Sequence, residues 1–536
     1  MAPPDAIIDL HFPMAGVDLG SAFDAQPNRP LPVDGTYART TAIGTNVRAY
    51  EPRTGRSRGG ARAGLARHID ATVSGDFLVQ GINAIVGSGY DPPGGGVQTS
   101  QSGRIVTLVA VSDGDVKVAD AGAASWASVT NGTNALNTTG IVFSAPNQQL
   151  LFFADGTHEK YYDPSDNTVK PWTLTAGTLP QDADGNRPRL ICTWQGRTVL
   201  SGLLGDSQNI FFSAIGAPFN FDYNPAAPSA AQAFALNAAD FGRIGNSVFS
   251  LMPFTDDVLV AGTANQIWTL QGNPADGGQL YKVSDGIGTA WGASWCADPV
   301  GQIYFVSNNV GIYRFTPTQS SPLRISMGID TLLGAINTGA TTVSLAYDDR
   351  WQGVHVFITS TAGPNANDVH FFYEARANAW WLDVFGNPDH NPLCTCTFEG
   401  NQASDRVVLL GSWSGYVMFL SEDADDDDGT PIDSEVIIGP MNTKDLDDIM
   451  FKDIQGILAE GGGPVNYRIQ VGKTAEAALT NTPVVNGVWQ PSRNLTKMVN
   501  RSGHALYVKI DSDNAWALEA IRCRIQGLGR VRARGR

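Results

Sequence analysis

Residues 301–315, GQIYFVSNNVGIYRF, join an apolar run, a tight polar turn and a second alternating run that ends in an aromatic. That order predicts a β-hairpin half buried on each face. Related units start at Arg104 (RIVTLVAVSDGDVKVAD), Gln149 (QLLFFADGTHEKYYDP), Arg197 (RTVLSGLLGDSQNIFFS), Asp257 (DVLVAGTANQIWTL), Gly353 (GVHVFITST, then NDVHFFYEA after an insertion) and Asp405 (DRVVLLGSWSGYVMFL). Counted from the first apolar strand residue, the units lie 45, 48, 60, 45, 51 and 53 residues apart, a spacing that suits a propeller blade of four strands. A single hairpin is marginal in water because one face of each strand has nowhere to hide. Radial stacking packs each face on a neighbour and leaves only short, protected edges. Residues 75–421 are therefore expected to form a β-propeller of seven blades, with six as the alternative.

The chain of 536 residues leaves room for one or two smaller units beside the propeller. Only 16% of residues are charged, while Gly reaches 59 and Trp 12, which favours short strands, tight turns and aromatic packing over a helical fold. A net charge of −16 argues against a conventional nucleic-acid-binding protein, since acidic surface repels phosphates. Cys192, Cys296, Cys394, Cys396 and Cys523 form an odd, scattered set without CxxC spacing, so reduced, mostly buried thiols are expected. The first twenty residues carry Asp5 and Asp9, no Lys or Arg and no long apolar core, unlike a secretory signal. No apolar run approaches the ~18 residues that cross a bilayer, and a soluble, cytoplasmically made protein is expected.

Residues 1–74 are rich in Pro and Gly without a sustained period of 2 or 3.6, and read as an extended N-terminal arm. Within the arm, Arg48, Arg53, Arg56, Arg58, Arg62 and Arg67 are accompanied by one acid, Glu51, and no Lys. Arginine suits planar, bidentate contact with carboxylate or phosphate in a partly desolvated interface; a solvated basic loop is the alternative. Trp126, Trp172, Trp268, Trp351, Trp380 and Trp381 fall near blade strands and are expected to pack at seams between blades. The connection at residues 214–234 is a long insertion of the kind that often carries binding. Residues 422–433, EDADDDDGTPID, mark a boundary, after which alternating runs predict a β-sandwich within residues 422–536. The chain ends in a second Arg-only cluster, Arg530, Arg532, Arg534 and Arg536. The two clusters, extended to Arg39 and Arg522, hold 13 of the 27 arginines.

The acidic run fits part of a calcium-loop pattern: with Gly429 at the sixth position, Asp426, Asp428 and Glu435 fall correctly, but Ala424 stands where a carboxylate belongs. A solvated acidic turn is the other reading. A sialidase-type Asp box finds one near miss, SDGIGTAW at residues 284–291, with Gly286 in place of the Asp and no recurrence from blade to blade. The seven histidines show no metal-ligand spacing, and no nucleophile elbow, phosphate loop or dinucleotide fingerprint is present. No catalysis and no cofactor are expected.

The arm segment NVRAYEPRTGRSRGGARAGL, the unit SDGIGTAWGASWCADPVGQIYFVSNNVGIYRF and the turn DDGTPI at residues 427–432 together resemble the tail nozzle proteins of short-tailed bacteriophages, also called tail tubular protein B or tail hub. The resemblance implies a structural virion protein of the tail, made in the host cytoplasm and assembled as a homo-oligomeric ring of six subunits. Such a ring sits below the portal and adaptor, continues the DNA conduit, takes part in genome retention and ejection, and can dock tail fibres. Genomic double-stranded DNA would pass through without sequence-specific binding, and the arginine clusters, with Arg48, Arg53, Arg56, Arg58, Arg62, Arg67, Arg530, Arg532 and Arg534, would serve subunit or adaptor contacts. A glycan-binding or glycan-hydrolysing propeller, as a receptor-binding tail protein, is the competing expectation.

Overall fold

Each recurring unit folds as the middle pair of strands in a four-stranded antiparallel sheet. In the unit that defines the pattern, Ile303–Val306 pairs with Ile312–Phe315, Ile303 standing opposite Phe315, with Trp295–Ala297 on one side and Leu323–Arg324 on the other. The computed structural model of the chain describes residues 5–26, 28–32, 35–87, 105–120, 123–236, 243–309, 311–400, 405–442 and 447–530. Among these residues seven such sheets follow in order, and their first strands are Val79–Gly87, Phe143–Asn147, Leu190–Trp194, Val248–Thr255, Trp295–Ala297, Thr341–Asp348 and Pro392–Phe398. These first strands pack side by side in a closed ring, the last against the first. The fold is a seven-bladed β-propeller, which decides the blade number.

Apolar clusters fill the seams between blades, as the radial arrangement requires. Ile85 and Val109 meet Leu151 and Phe153 between blades one and two, while Val258 and Val260 meet Ile303 and Phe305 between blades four and five. The second strand of a blade is covered on both faces. Val258–Thr263 and Val407–Ser412 are buried at every position, so strict alternation gives way to continuous apolar runs. In the second strand of blade three, the buried Arg197 guanidinium donates to the carbonyl oxygens of Ser213, Gln232 and Ala230 and to Asn273 Oδ1. Arg197 thereby pins the long insertion at residues 214–234, whose Phe219 and Phe221 pack with Phe152 and Trp172 between blades two and three.

The arm departs from the expected boundary at residue 74. Blade seven draws only three strands from residues 392–421; its fourth is Gly64–Arg67 from the arm, antiparallel to Val417–Ser421 with Leu65 opposite Leu420. A second arm strand, Gly44–Thr45, lies parallel to the last strand of blade six at Leu382 and antiparallel to Ser434–Met441. It joins blade six and the C-terminal unit into one nine-stranded sheet. The C-terminal unit is the expected sandwich. Its other sheet has five strands, and Ala6–Leu10 of the arm forms one edge by pairing with Leu518–Arg530. One apolar core contains arm residues Val47 and Leu65, blade residues Phe372 and Trp381, and sandwich residues Ile454, Trp489 and Leu506.

Close threading of the arm depends on small residues. A Cβ on Gly64 would lie 2.2 Å from the Asp426 carbonyl oxygen, and one on Gly60 would lie 2.4 Å from that of Trp516. Backbone meets backbone there, so neither contact can yield by a rotamer change. Gly64→Val is expected to destabilise the chain by about 1–3 kcal/mol through forced displacement of the closing strand. A lower melting temperature together with new protease cleavage inside residues 44–67 checks this; an unchanged digest would contradict it.

Candidate functional site

The arm arginines converge on the junction where blades six and seven meet the sandwich. Arg48 and Asp383 form a bidentate pair, with Nη1 2.8 Å from Oδ1 and Nη2 2.6 Å from Oδ2. Arg62 pairs in the same way with Asp427 at 2.8 and 2.6 Å, and its Nε donates to Asn46 Oδ1 at 2.9 Å. All four charged side chains are buried, at 4% relative exposure or less. Arg48 also lies 4.2 Å over the Phe372 ring, and Arg62 lies 4.9 Å over Phe385. Such planar stacking with a forked donor is open to Arg and not to Lys. Around this pair of pairs, Arg67 donates to Asp428, Arg53 to Asp425, and Arg58 to both Glu51 and Glu519. Asn46, in a left-handed conformation at φ 54°, ties the three parts together: its Nδ2 donates to the Asp433 carbonyl and its Oδ1 accepts from Val384 N–H.

This placement corrects the expected role of several residues. Arg48 and Arg62 are buried within their own chain and cannot reach another subunit, while Arg58 and Arg67 are held by intrachain carboxylates. Arg53 is exposed and paired with Asp425; Arg56 is exposed and forms no ion pair among the described residues. Arg530 ends a sandwich strand opposite Asp447, and Arg532 and Arg534 lie outside the described residues. The calcium candidates are not brought together. Asp428 receives Arg67, Glu435 receives Lys509 at 2.5 Å, and Asp426 is exposed and caps its own turn through Gly429 N–H. Asp383 and Glu519 belong to the junction without any local sequence signal. Asp425, Asp427 and Asp428 had one: the acidic run at residues 422–433 is opposite in charge to the run of arginines in the arm.

Burial alone would raise the Asp383 carboxyl, but Arg48 and Arg62 outweigh it and hold it below its ordinary value. His355 lies in the same layer, stacked on Phe357 and 4.8 Å from the Phe372 ring centroid, with neither ring nitrogen hydrogen-bonded among the described residues. Burial pushes its imidazole down to about 4; Asp348, 4.0 Å away, pulls the other way, and Arg48 adds to the fall. Burial also lowers His370 beside Asn391 and His390 beside Asp428.

A second feature is the axial cavity of about 500 Å³ enclosed by the first strands of the blades. Ile82, Pro146, Leu251, Trp295 and Leu345 line it, and among the described residues no Asp, Glu, His, Lys or Arg does. Its thiols, Cys192, Cys394 and Cys396, are all free and raised by burial, Cys394 and Cys396 to about 12. The cavity can accommodate an apolar or neutral group and supplies no proton-transfer pair at neutral pH.

No family model matches the chain, and no curated protein matches it. Among solved structures, the extracellular domain of the putative hybrid two component system BT3049 from B. thetaiotaomicron is 11% identical, covering 81% of this chain and 49% of that one with a TM-score of 0.42. The extracellular domain of the putative hybrid two component system BT4673 from B. thetaiotaomicron is also 11% identical, over 74% of this chain and 43% of that one, with a TM-score of 0.41. YCF48 bound to D1 peptide is 11% identical over 65% of this chain and 94% of that one, with a TM-score of 0.35. The chain spans about half the length of the first of these structures.

Two outcomes test the junction. Arg62→Met leaves Asp427 buried without its partner, so a loss of about 3–5 kcal/mol is expected by denaturant unfolding, most of it recovered when Asp427→Leu is added. His355 contributes to the pH dependence of stability. The folded value of His355 lies below the ordinary 6.5, so the unfolded chain takes up the proton first and stability falls as pH drops from 6.5 to about 4. By pH 4 that single group removes about 3 kcal/mol. His355→Phe should flatten the loss in this window, and melting curves at pH 7 and pH 4.5 would read it.

Proposed function

We propose that the chain is a structural virion protein, a tail nozzle that assembles as a homo-oligomeric ring of six subunits. The ring continues the DNA conduit below the portal and adaptor and takes part in retaining and releasing the genome, with tail fibres as candidate partners. What supports this reading most is the continuity of the body. Domains in one chain ordinarily move against each other unless the interface is large and apolar. Here one nine-stranded sheet, one shared core and buried ion pairs cross the propeller–sandwich boundary. Such a body suits a part that bears a pressurised duplex.

Charge is consistent with the same role. At −16, the chain presents phosphates with little to hold, and each phosphate neutralised would add salt-dependent adhesion to a moving genome. Non-specific passage of double-stranded DNA is the behaviour this sign favours. Sedimentation and particle imaging of the purified full chain test the proposal. Rings with a central opening and six-fold symmetry are expected, and duplex DNA should not be retained at about 150 mM salt. A monomer at every concentration, or release of reducing sugar from host glycan, would overturn it in favour of a glycan-directed propeller.

A further inference from the structure

Besides its arginine-rich C-terminal segment, the sandwich carries a stretch whose charge runs against the rest of the chain. Between Glu476 and Asp511 no acid occurs, while Arg493, Lys497 and Arg501 are exposed and form no ion pair among the described residues. In the middle of these cations Leu495 is 93% exposed and Met498 59%. Single exposed apolar residues are ordinary, but this one is held out by a rigid turn. Asn494 donates through Nδ2 to the carbonyls of Gln490, Ser492 and Gly456 and accepts from Gln490 N–H, while its own carbonyl accepts from Gln455. Backbone N–H of Asn494 is bonded to Gly456 as well. Six hydrogen bonds fixed one residue before an exposed leucine make a knuckle, so little conformational entropy remains to be lost on docking.

The propeller carries a feature of opposite sign. On blades four and five a groove of about 550 Å³ is lined by Phe254, Val258 and Val300, with Asp257 on its wall. Val300 is 83% exposed and is also held by a fixed turn, in which Asp298 Oδ1 accepts from the N–H of Val300 and of Gln302. Asp257 in the groove, Asp256 beside it in sequence and Asp276 on the turn that joins the last two strands of blade four are exposed and form no ion pair among the described residues. From Thr198 to Leu280 the sequence holds a single Lys or Arg, Arg243. The sandwich joins the propeller at blades six and seven, so knuckle and groove sit on different parts of the molecule.

We propose that the Arg493–Met498 knuckle of one copy docks into the groove of blades four and five on the next copy, with Leu495 against Val300 and Lys497 and Arg501 facing Asp257 and Asp276. This rests on the ring reading above and names the contact that would build it. Two different patches on one chain give a heterologous, head-to-tail contact, and such contacts close into rings when the rotation allows. Charge complementarity selects the occupant, because the knuckle needs an acidic rim around an apolar floor and the chain itself supplies one.

Charge reversal and rescue in the full chain test it. Lys497→Glu with Arg501→Glu should raise the concentration for half-assembly by about tenfold or more in sedimentation, and so should Asp257→Lys with Asp276→Lys. The two reversed proteins mixed together, or all four changes in one chain, should recover assembly at unchanged melting temperature. Leu495→Cys with Val300→Cys should give an oxidant-dependent ladder of covalent multimers. If wild-type rings form and the reversals assemble as well as wild type without a ladder, this contact is wrong and the ring stands. If the wild-type chain never assembles, the ring proposal fails and takes the contact with it.

Discussion

The buried pairs Arg48–Asp383 and Arg62–Asp427 hold the rest of the molecule in one arrangement. Each guanidinium is desolvated, so it tolerates no position in which its carboxylate is missing. Well-packed apolar groups could give equal or greater stability, but they would not fix register. An arm held only by Val47 and Leu65 could shift by one residue and find other apolar neighbours; a one-residue shift of Arg62 would leave two buried charges unpaired. The pairs therefore act mainly on uniqueness, choosing which residues of the arm become the closing strand of blade seven.

That choice has consequences for the whole propeller. Blade seven takes three strands from the end of the repeat region and one from a segment more than 350 residues earlier, so the circle is complete only when both ends of the chain are in place. Open propeller edges would expose unpaired strand backbone. The arm covers that edge and at the same time carries the sheet of blade six into the sandwich through Gly44–Thr45. Propeller, arm and sandwich are expected to unfold together for this reason, since removal of the arm opens a blade, splits a nine-stranded sheet and uncovers the shared core.

Much of this was legible in the sequence, and the reason is periodicity. Hairpins such as residues 301–315 report their own strands, because turn and alternation are local properties, and seven of them at about blade spacing leave few other architectures. Sandwich strands such as Val465–Gly472 were legible on the same ground. The arm was not, because Gly44–Thr45 and Gly64–Arg67 are too short to show a period and owe their conformation to partners far along the chain. Its arginines were visible as a cluster, yet their partners were not. A charge run is silent about whether its complement lies on another subunit or on the same chain, and only the matching acids at residues 425–428 hinted at the second.

Internal use of those arginines alters what the molecule shows to its surroundings. Arg48 and Arg62, neutralised inside, contribute nothing outward, and Arg53, Arg58 and Arg67 are each matched by a nearby carboxylate. Basic character at the surface is left to places where no acid accompanies it, and residues 477–510 form the longest such place in the C-terminal unit. Within it Lys509 is matched by Glu435, but Arg493, Lys497 and Arg501 form no ion pair among the described residues, unlike most cations of the arm. The same economy of charge that locks the arm in place thus concentrates the remaining attraction on the sandwich knuckle, where it can act between molecules without loosening the fold.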